Sequence, residues 1–210
     1  MPSTLAKPTP ISTDVRYSAN ITAGALKVTE SRLIADLLLR GSDQDTLRDA
    51  IVDTNVLQAS APSTAIRIGR LVHARLSLMG PVLWTLVRDG TTTTSTQACL
   101  AAAIKHSVLL GNFMDLVLRG LYRQHIDVLP MAAFEDYLVD CRSRDPEMPN
   151  WHESTQRRLR SSVYQALAQA GFIDSTRTRR LQAVHLAHPL VEYLRGNDED
   201  YVLRCIEVSL

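Results

Sequence analysis

Of 210 residues, 45% are apolar and only 5% are aromatic, and Lys plus Arg exceed Asp plus Glu by a single charge. A chain of this length buries a core as one large domain or two small ones, and its aliphatic, aromatic-poor composition favours helices over sheet. Near-neutrality excludes a global field that would gather a polyanion, so any such attraction has to come from segregated charge.

Residues 1–26, with Pro2, Pro8 and Pro10 among Ser, Thr and Asn, form an irregular N-terminal arm. Helical patterning begins near Thr29 and stops at Gly41, a residue suited to a helix C-terminus. Ser42 and Asp45 make a variant capping box that opens a helix to about Thr54. Pro62 sits where a first helical turn tolerates it, and the helix it opens stacks Ile68, Val72, Leu76 and Met79 on one side. Gly80-Pro81 breaks that helix, and a short one carrying Trp84 runs from Pro81 to Arg88. The Thr91–Thr94 run reads as a loop. Two helices follow, about Ser95–Leu110 and Asn112–Gln124, with a boundary at His125–Pro130. A helix from Met131 to Arg142 leads into a rigid Asp145-Pro-Glu-Met-Pro loop. Helix 154–170 ends at Gly171, and Gln182–Leu186 alternates weakly as a strand that would pair with Phe172–Asp174 in a wing. Helices near Pro189–Arg195 and Glu199–Val208 close the chain, and no repeat occurs at solenoid spacing.

The predicted fold is therefore mainly α. An N-terminal helical bundle (27–128) packs on a C-terminal winged-helix-like, helix-turn-helix unit with a small β-wing and closing helices (129–210). Cys99, Cys141 and Cys205 are odd in number, far apart and without a CxxC, so they read as reduced buried thiols of a cytoplasmic protein. No charged-then-apolar leader opens the sequence. The longest uncharged stretch near the middle, Gly90–Ile104, is too short and too polar to span a bilayer, so no membrane association is expected.

Charge is segregated in one place. Residues 154–180 carry six Arg and one acid, Asp174, for a net +5 against −4 in the remainder. Across the chain, 20 of 23 basic residues are Arg, which binds phosphate and guanine edges in bidentate fashion, although a GC-rich genome would produce the same bias. At 100° per residue, Leu159, Val163, Ala166, Leu167 and Ala170 form one apolar stripe of helix 154–170. Opposite lie Ser154, Arg157, Arg158, Ser161, Tyr164, Gln165 and Ala168. That outer face lacks the carboxylates that a solvated helix normally interleaves for i to i+4 pairing. Ser154 as N-cap would leave backbone N–H groups near a phosphate. Arg177, Arg179 and Arg180, among Ser175, Thr176 and Thr178, would occupy the wing. The expected DNA-contact set is thus Ser154, Thr155, Arg157, Arg158, Arg160, Ser161, Gln165, Arg177, Arg179 and Arg180. The competing reading is a solvated face whose arginines pair with acids such as Glu147 or Glu153, beside an exposed basic loop.

A second basic surface is conceivable on the helix after Pro62, where Arg67, Arg70 and Arg75 share about 140° of arc, against the reading of an ordinary basic solvent face. Metal and catalytic patterns are weak. His185 and His188 lack Cys or carboxylate neighbours at ligand spacing, and His106 fits a packed, hydrogen-bonded role. No phosphate-cradling Gly-rich loop, H-E-x-x-H or G-x-S-x-G occurs. Neither a cofactor nor an enzymatic activity is expected.

Several ordered segments carry a family resemblance. They are Glu30-Ser-Arg-Leu-Ile-Ala35, Ser63-Thr-Ala-Ile-Arg67, Ala101-Ala-Ala-Ile-Lys-His-Ser107, Asp115-Leu-Val-Leu-Arg119, Arg144-Asp-Pro146, Trp151 with Ser154-Thr155, Ala170-Gly-Phe-Ile-Asp-Ser175 and Tyr201-Val-Leu-Arg-Cys205. In order and spacing, from about Tyr17 onward, the chain resembles the BrxA family of the BREX phage-defence systems. The resemblance implies a mostly helical accessory protein without known enzymatic activity, encoded beside a methyltransferase and other BREX components, that binds double-stranded DNA. It supplies no catalytic motif to carry over. Two further readings stay open: a protein–protein adaptor within the BREX complex, and an RNA-binding helical protein.

Overall fold

Proline and glycine punctuation cuts the chain into helices much as their chemistry dictates. In a computed structural model, which describes residues 17–21 and 25–209, α1 (Val28–Leu39) is followed by α2 (Gln44–Val52), α3 (Pro62–Leu76), α4 (Pro81–Asp89) and α5 (Thr92–His106). Then come α6 (Val108–Asn112), a π-helical turn (Phe113–Leu118), α7 (Arg119–Arg123), α8 (Ala133–Arg144), α9 (Glu153–Gln169), α10 (His188–Gly196) and α11 (Asp200–Ile206). The fold is mainly helical. Of the N-terminal arm, residues 1–16 and 22–24 lie outside the described residues, whereas Tyr17 and Ile21 are buried in the core.

Gly41, at φ 77°, closes α1: its N–H reaches Leu38 O at 3.0 Å and that of Ser42 reaches Leu37 O at 3.1 Å. Because Ser42 is used in that motif, the cap of α2 falls one residue later than the capping box implied. Asp43 accepts from the Thr46 N–H at 2.8 Å. The Thr91–Thr94 run is not a loop. Thr91 Oγ1 accepts from the Thr94 N–H at 3.2 Å, which makes it the N-cap of α5.

α5 runs through the middle of the molecule, buried at every position from Ser95 to Ile104. It ends at Ser107 rather than near Leu110. The Ser107 hydroxyl caps the next helix, and the chain turns there by 108°. No single helix among the described residues is long and apolar enough to cross a membrane, and the first helix of the bent pair that meets at Ser107 is buried from Ser95 to Ile104.

Phe113, on the π-helical turn, is fully buried and lies 5.6 Å from the Phe134 ring, 5.4 Å from Tyr137 and 6.2 Å from Tyr164, centroid to centroid. Those contacts bind α8 and α9 to the segment after α5, and one apolar core extends from Tyr17 to Val208. The three cysteines are free and buried. Burial pushes Cys99 and Cys205 up to about 11, so both are inert thiols at neutral pH.

The predicted β-wing is corrected. Among the described residues there is no strand, only two isolated antiparallel bridges, Val128 to Arg180 and Ile173 to Leu181. Four backbone bonds hold them: Leu129 N–H to Arg179 O and Leu181 N–H to Asp127 O, both 2.9 Å, Asp174 N–H to Arg180 O at 3.0 Å, and Gln182 N–H to Phe172 O at 2.9 Å. Pairing stops because Arg179 takes a left-handed conformation (φ 55°) and because the chain beyond Gln182 is claimed by α5. Buried Gln97 donates to His185 O at 2.9 Å and accepts from the Ala187 N–H at 2.8 Å. Residues Gln182–Leu186 therefore form a strap over α5 and not the expected strand. Replacing Gln97 by Leu strands two backbone groups, and a loss of about 1–3 kcal/mol in a denaturant titration is the expected result.

Candidate nucleic-acid interface

α9 presents the side that its periodicity predicted. Leu159, Val163, Ala166, Leu167 and Ala170 are buried, while Ser154, Arg157, Arg158, Ser161 and Gln165 are exposed. Gln169, which the sequence reading did not include, is exposed one turn further on, and its Oε1 accepts from the Leu26 N–H at 3.0 Å. Two expectations for this helix are overturned. Tyr164 is 4% exposed and donates to Pro130 O at 3.1 Å, because it packs beside Phe113. Ser154 is not the N-cap: the helix starts at Glu153, and His152 caps it by accepting the Ser154 N–H on Nδ1 at 3.2 Å.

The arginines of α9 divide into two groups. Arg157 and Arg158 are exposed, and Arg157 makes only a long, solvent-exposed contact of 3.7 Å with Glu153. Arg158 has no ion pair among the described residues. Arg160, three residues after Arg157 and so about 60° back round the helix from it, is half-buried and ion-paired with Glu135 of α8. It fastens α9 to α8 and does not reach outward. Thr155 is half-buried in the first turn.

The basic loop is a structured turn built on Asp174. That carboxylate accepts from the Ser175 N–H at 2.7 Å, the Arg180 N–H at 2.9 Å and the Thr178 hydroxyl at 2.8 Å. These bonds, the Thr178 hydroxyl foremost, hold its pKa below the ordinary carboxylate range. Ser175 and Thr178 are thus occupied within the turn. Arg179 turns inward as well: Nε donates to Leu129 O at 3.1 Å and Nη1 to Arg177 O at 2.9 Å. Arg177 and Arg180 remain exposed with no ion pair among the described residues. Because the folded pKa of Asp174 is depressed, its contribution to the turn is complete above the ordinary carboxylate pKa. It is lost as pH falls through the folded value. Asp174→Ala should speed amide exchange at Ser175 and Arg180 at neutral pH while leaving the core amides protected. Unchanged exchange at both amides would show that the turn does not depend on this carboxylate.

On α3, Arg67 and Arg70 are exposed, but Arg75 is not part of any surface. It is 3% exposed, donates to Ala25 O at 2.6 Å, and burial pulls its pKa down to about 10. The expected trio is therefore a pair, since Arg75 points to the core side of α3 with Ile68, Leu71 and Val72. No group of three or more His, Cys, Asp or Glu suited to a metal occurs among the described residues. His188 lies 3.3 Å from Glu192 on the exposed side of α10.

Fold and surface together define a helical protein that presents a cationic helix face and a cationic turn. The chain belongs to the BrxA family, whose model matches residues 15–198. It is 49% identical to the BREX protein BrxA of Paramagnetospirillum magneticum (strain ATCC 700264 / AMB-1), over 93% of this chain and 98% of that protein. It is 32% identical to the BREX protein BrxA of Escherichia coli O9:H4 (strain HS), over 84% of this chain and 83% of that one. A crystal structure of an uncharacterized protein from Magnetospirillum magneticum superposes with a TM-score of 0.86 at 47% identity, covering 92% of this chain and all of that one.

Proposed function

We propose that this chain is a non-enzymatic accessory protein of BREX phage defence that binds double-stranded DNA in the cytoplasm with little sequence preference. One observation carries the reading: the exposed arc of α9 holds Arg157 and Arg158 among Ser154, Ser161 and Gln165 without a carboxylate inside it. Such a face lies close to a duplex and donates to phosphates without repulsion. In this reading α9 is the groove-facing helix, and Arg177 and Arg180 of the bridged turn reach the neighbouring backbone. From Arg158 to Gly171 the helix rises about 20 Å, so its cations and those of the turn would span roughly six base pairs.

Arg160 and Arg179 are engaged internally, so the reading counts four arginines, Arg157, Arg158, Arg177 and Arg180, as phosphate contacts rather than six. Four neutralised phosphates correspond to a slope of log K on log salt of about −3.6. A salt titration of duplex binding measures this directly, and a flat dependence would remove the electrostatic model. The adaptor and RNA-binding readings are separated from this one by competition among duplex DNA, RNA and purified BREX components such as the methyltransferase.

A further inference from the structure

Beside the cationic turn stand two aliphatic side chains that the core does not take up: Ile126 is 40% exposed and Val128 39%. Val128 is bridged to Arg180. The bonds on either side, Leu129 N–H to Arg179 O and Leu181 N–H to Asp127 O, leave these two residues opposite each other without a hydrogen bond of their own. In an antiparallel pair of that kind both side chains leave the same face, from Cα atoms about 4.5 Å apart. Leu129, one residue on, points the other way and is fully buried. The Asp174 carboxylate accepts from the Arg180 N–H at 2.9 Å and so fixes the backbone of the pair.

Nearby acids are turned from this face. Asp127, the one acid between Gln124 and Ala132, alternates away from Val128. Glu135 is drawn towards α9 by its pair with Arg160, and Asp136 and Asp140 lie about 100° and 140° further round α8, on the edge away from α9. Two side chains are too small an apolar site for a protein interface, which buries about 800 Å² on each partner. One furanose ring fits it. When a phosphate meets Arg180, the sugar bonded to that phosphate comes within reach of Val128 and Ile126. There a deoxyribose presents a methylene at C2′, whereas a ribose presents a hydroxyl that Val and Ile cannot hydrogen-bond.

We propose that Ile126 and Val128 form a sugar-discriminating contact by which this surface selects DNA over RNA. The proposal rests on the reading that Arg177 and Arg180 contact a nucleic-acid backbone. Discrimination of this kind is independent of base sequence, in keeping with contacts made to phosphates and sugars alone.

The test compares the affinity of the full chain, at one salt concentration, for a short DNA duplex and for the hybrid in which one strand of the same sequence is RNA. The parent chain should prefer the DNA duplex by about tenfold, the scale of one buried hydroxyl without a partner. Ile126→Thr/Val128→Thr keeps both side chains β-branched and supplies hydroxyls, so the preference should fall to about twofold or less, with the thermal midpoint unchanged. Ile126→Val/Val128→Ile stays apolar and should keep the preference. Arg180→Gln should weaken both duplexes alike and leave their ratio where it was. A parent chain that binds the hybrid as well as the DNA duplex, or better, overturns the proposal. So does a ratio that ignores the threonines or collapses in the apolar swap. Those outcomes leave the DNA-binding reading standing, whereas a parent chain that binds neither duplex overturns both.

Discussion

Arg158→Glu/Arg177→Glu/Arg180→Glu abolishes retardation of duplex DNA at a salt concentration where the parent chain binds, while the thermal midpoint stays within a few degrees. Each substitution removes a phosphate contact and adds a repulsive charge, so three of them outweigh Arg157, the one proposed contact arginine that remains on α9 and the turn. None of the three side chains is ion-paired among the described residues, and exposed substitutions of that kind typically change stability by about 0.5 kcal/mol or less. The matched comparison is Arg160→Gln with Arg179→Gln. Those side chains are bonded to Glu135 and Leu129 O, so their loss should weaken the fold locally and affect duplex binding much less. If the inward pair proved as damaging to binding as the outward trio, the division of arginines drawn from the structure would be wrong. If the trio bound duplex normally, α9 would not be the DNA surface.

Phe113→Ala carries the largest expected loss of stability. A fully buried phenyl ring at the meeting point of Phe134, Tyr137 and Tyr164 costs about 3–5 kcal/mol when truncated, because rings held on three different elements cannot all collapse into the space. For a chain of this size, that is a fall in thermal midpoint of roughly 6–20 °C. The same change loosens α8 and α9 from the π-helical turn, so duplex affinity should fall with it even though Phe113 faces no ligand. Val139→Ala on the same α8, at a side chain 60% exposed, is the control and should be nearly silent. Equal effects of the two substitutions would contradict the aromatic cluster as the link between the halves of the chain.

Much of the helical layout was legible in local chemistry. Gly41 and Gly171 end helices because each adopts a left-handed backbone at low cost, and Pro62 and Pro81 open them because a first turn needs no N–H there. The outward arc of α9 was legible for the same reason, since one apolar stripe leaves a single direction for the polar residues. Some local errors came from adjacent residues competing for one task. Ser42 was used in closing α1, so Asp43 capped α2, and His152 rather than Ser154 capped α9. The corner at Ser107 and the π-helical turn after it left no readable mark in an apolar run with few breakers.

By itself, then, the sequence determined a helical protein with most of its cationic excess in one segment, the face of α9 on which part of that excess lies, and its family. Only the tertiary structure decided which arginines are available. An arginine on a helix edge has a long stem that reaches either water or a neighbouring acceptor, and periodicity describes the position of Cα alone. Arg75 found Ala25 O, Arg160 found Glu135 and Arg179 found Leu129 O, whereas Arg157, Arg158, Arg177 and Arg180 stayed exposed. The wing was decided at the same level: once Gln97 on the buried α5 bound the chain at His185 and Ala187, too little length remained for a sheet, and two bridges formed in its place.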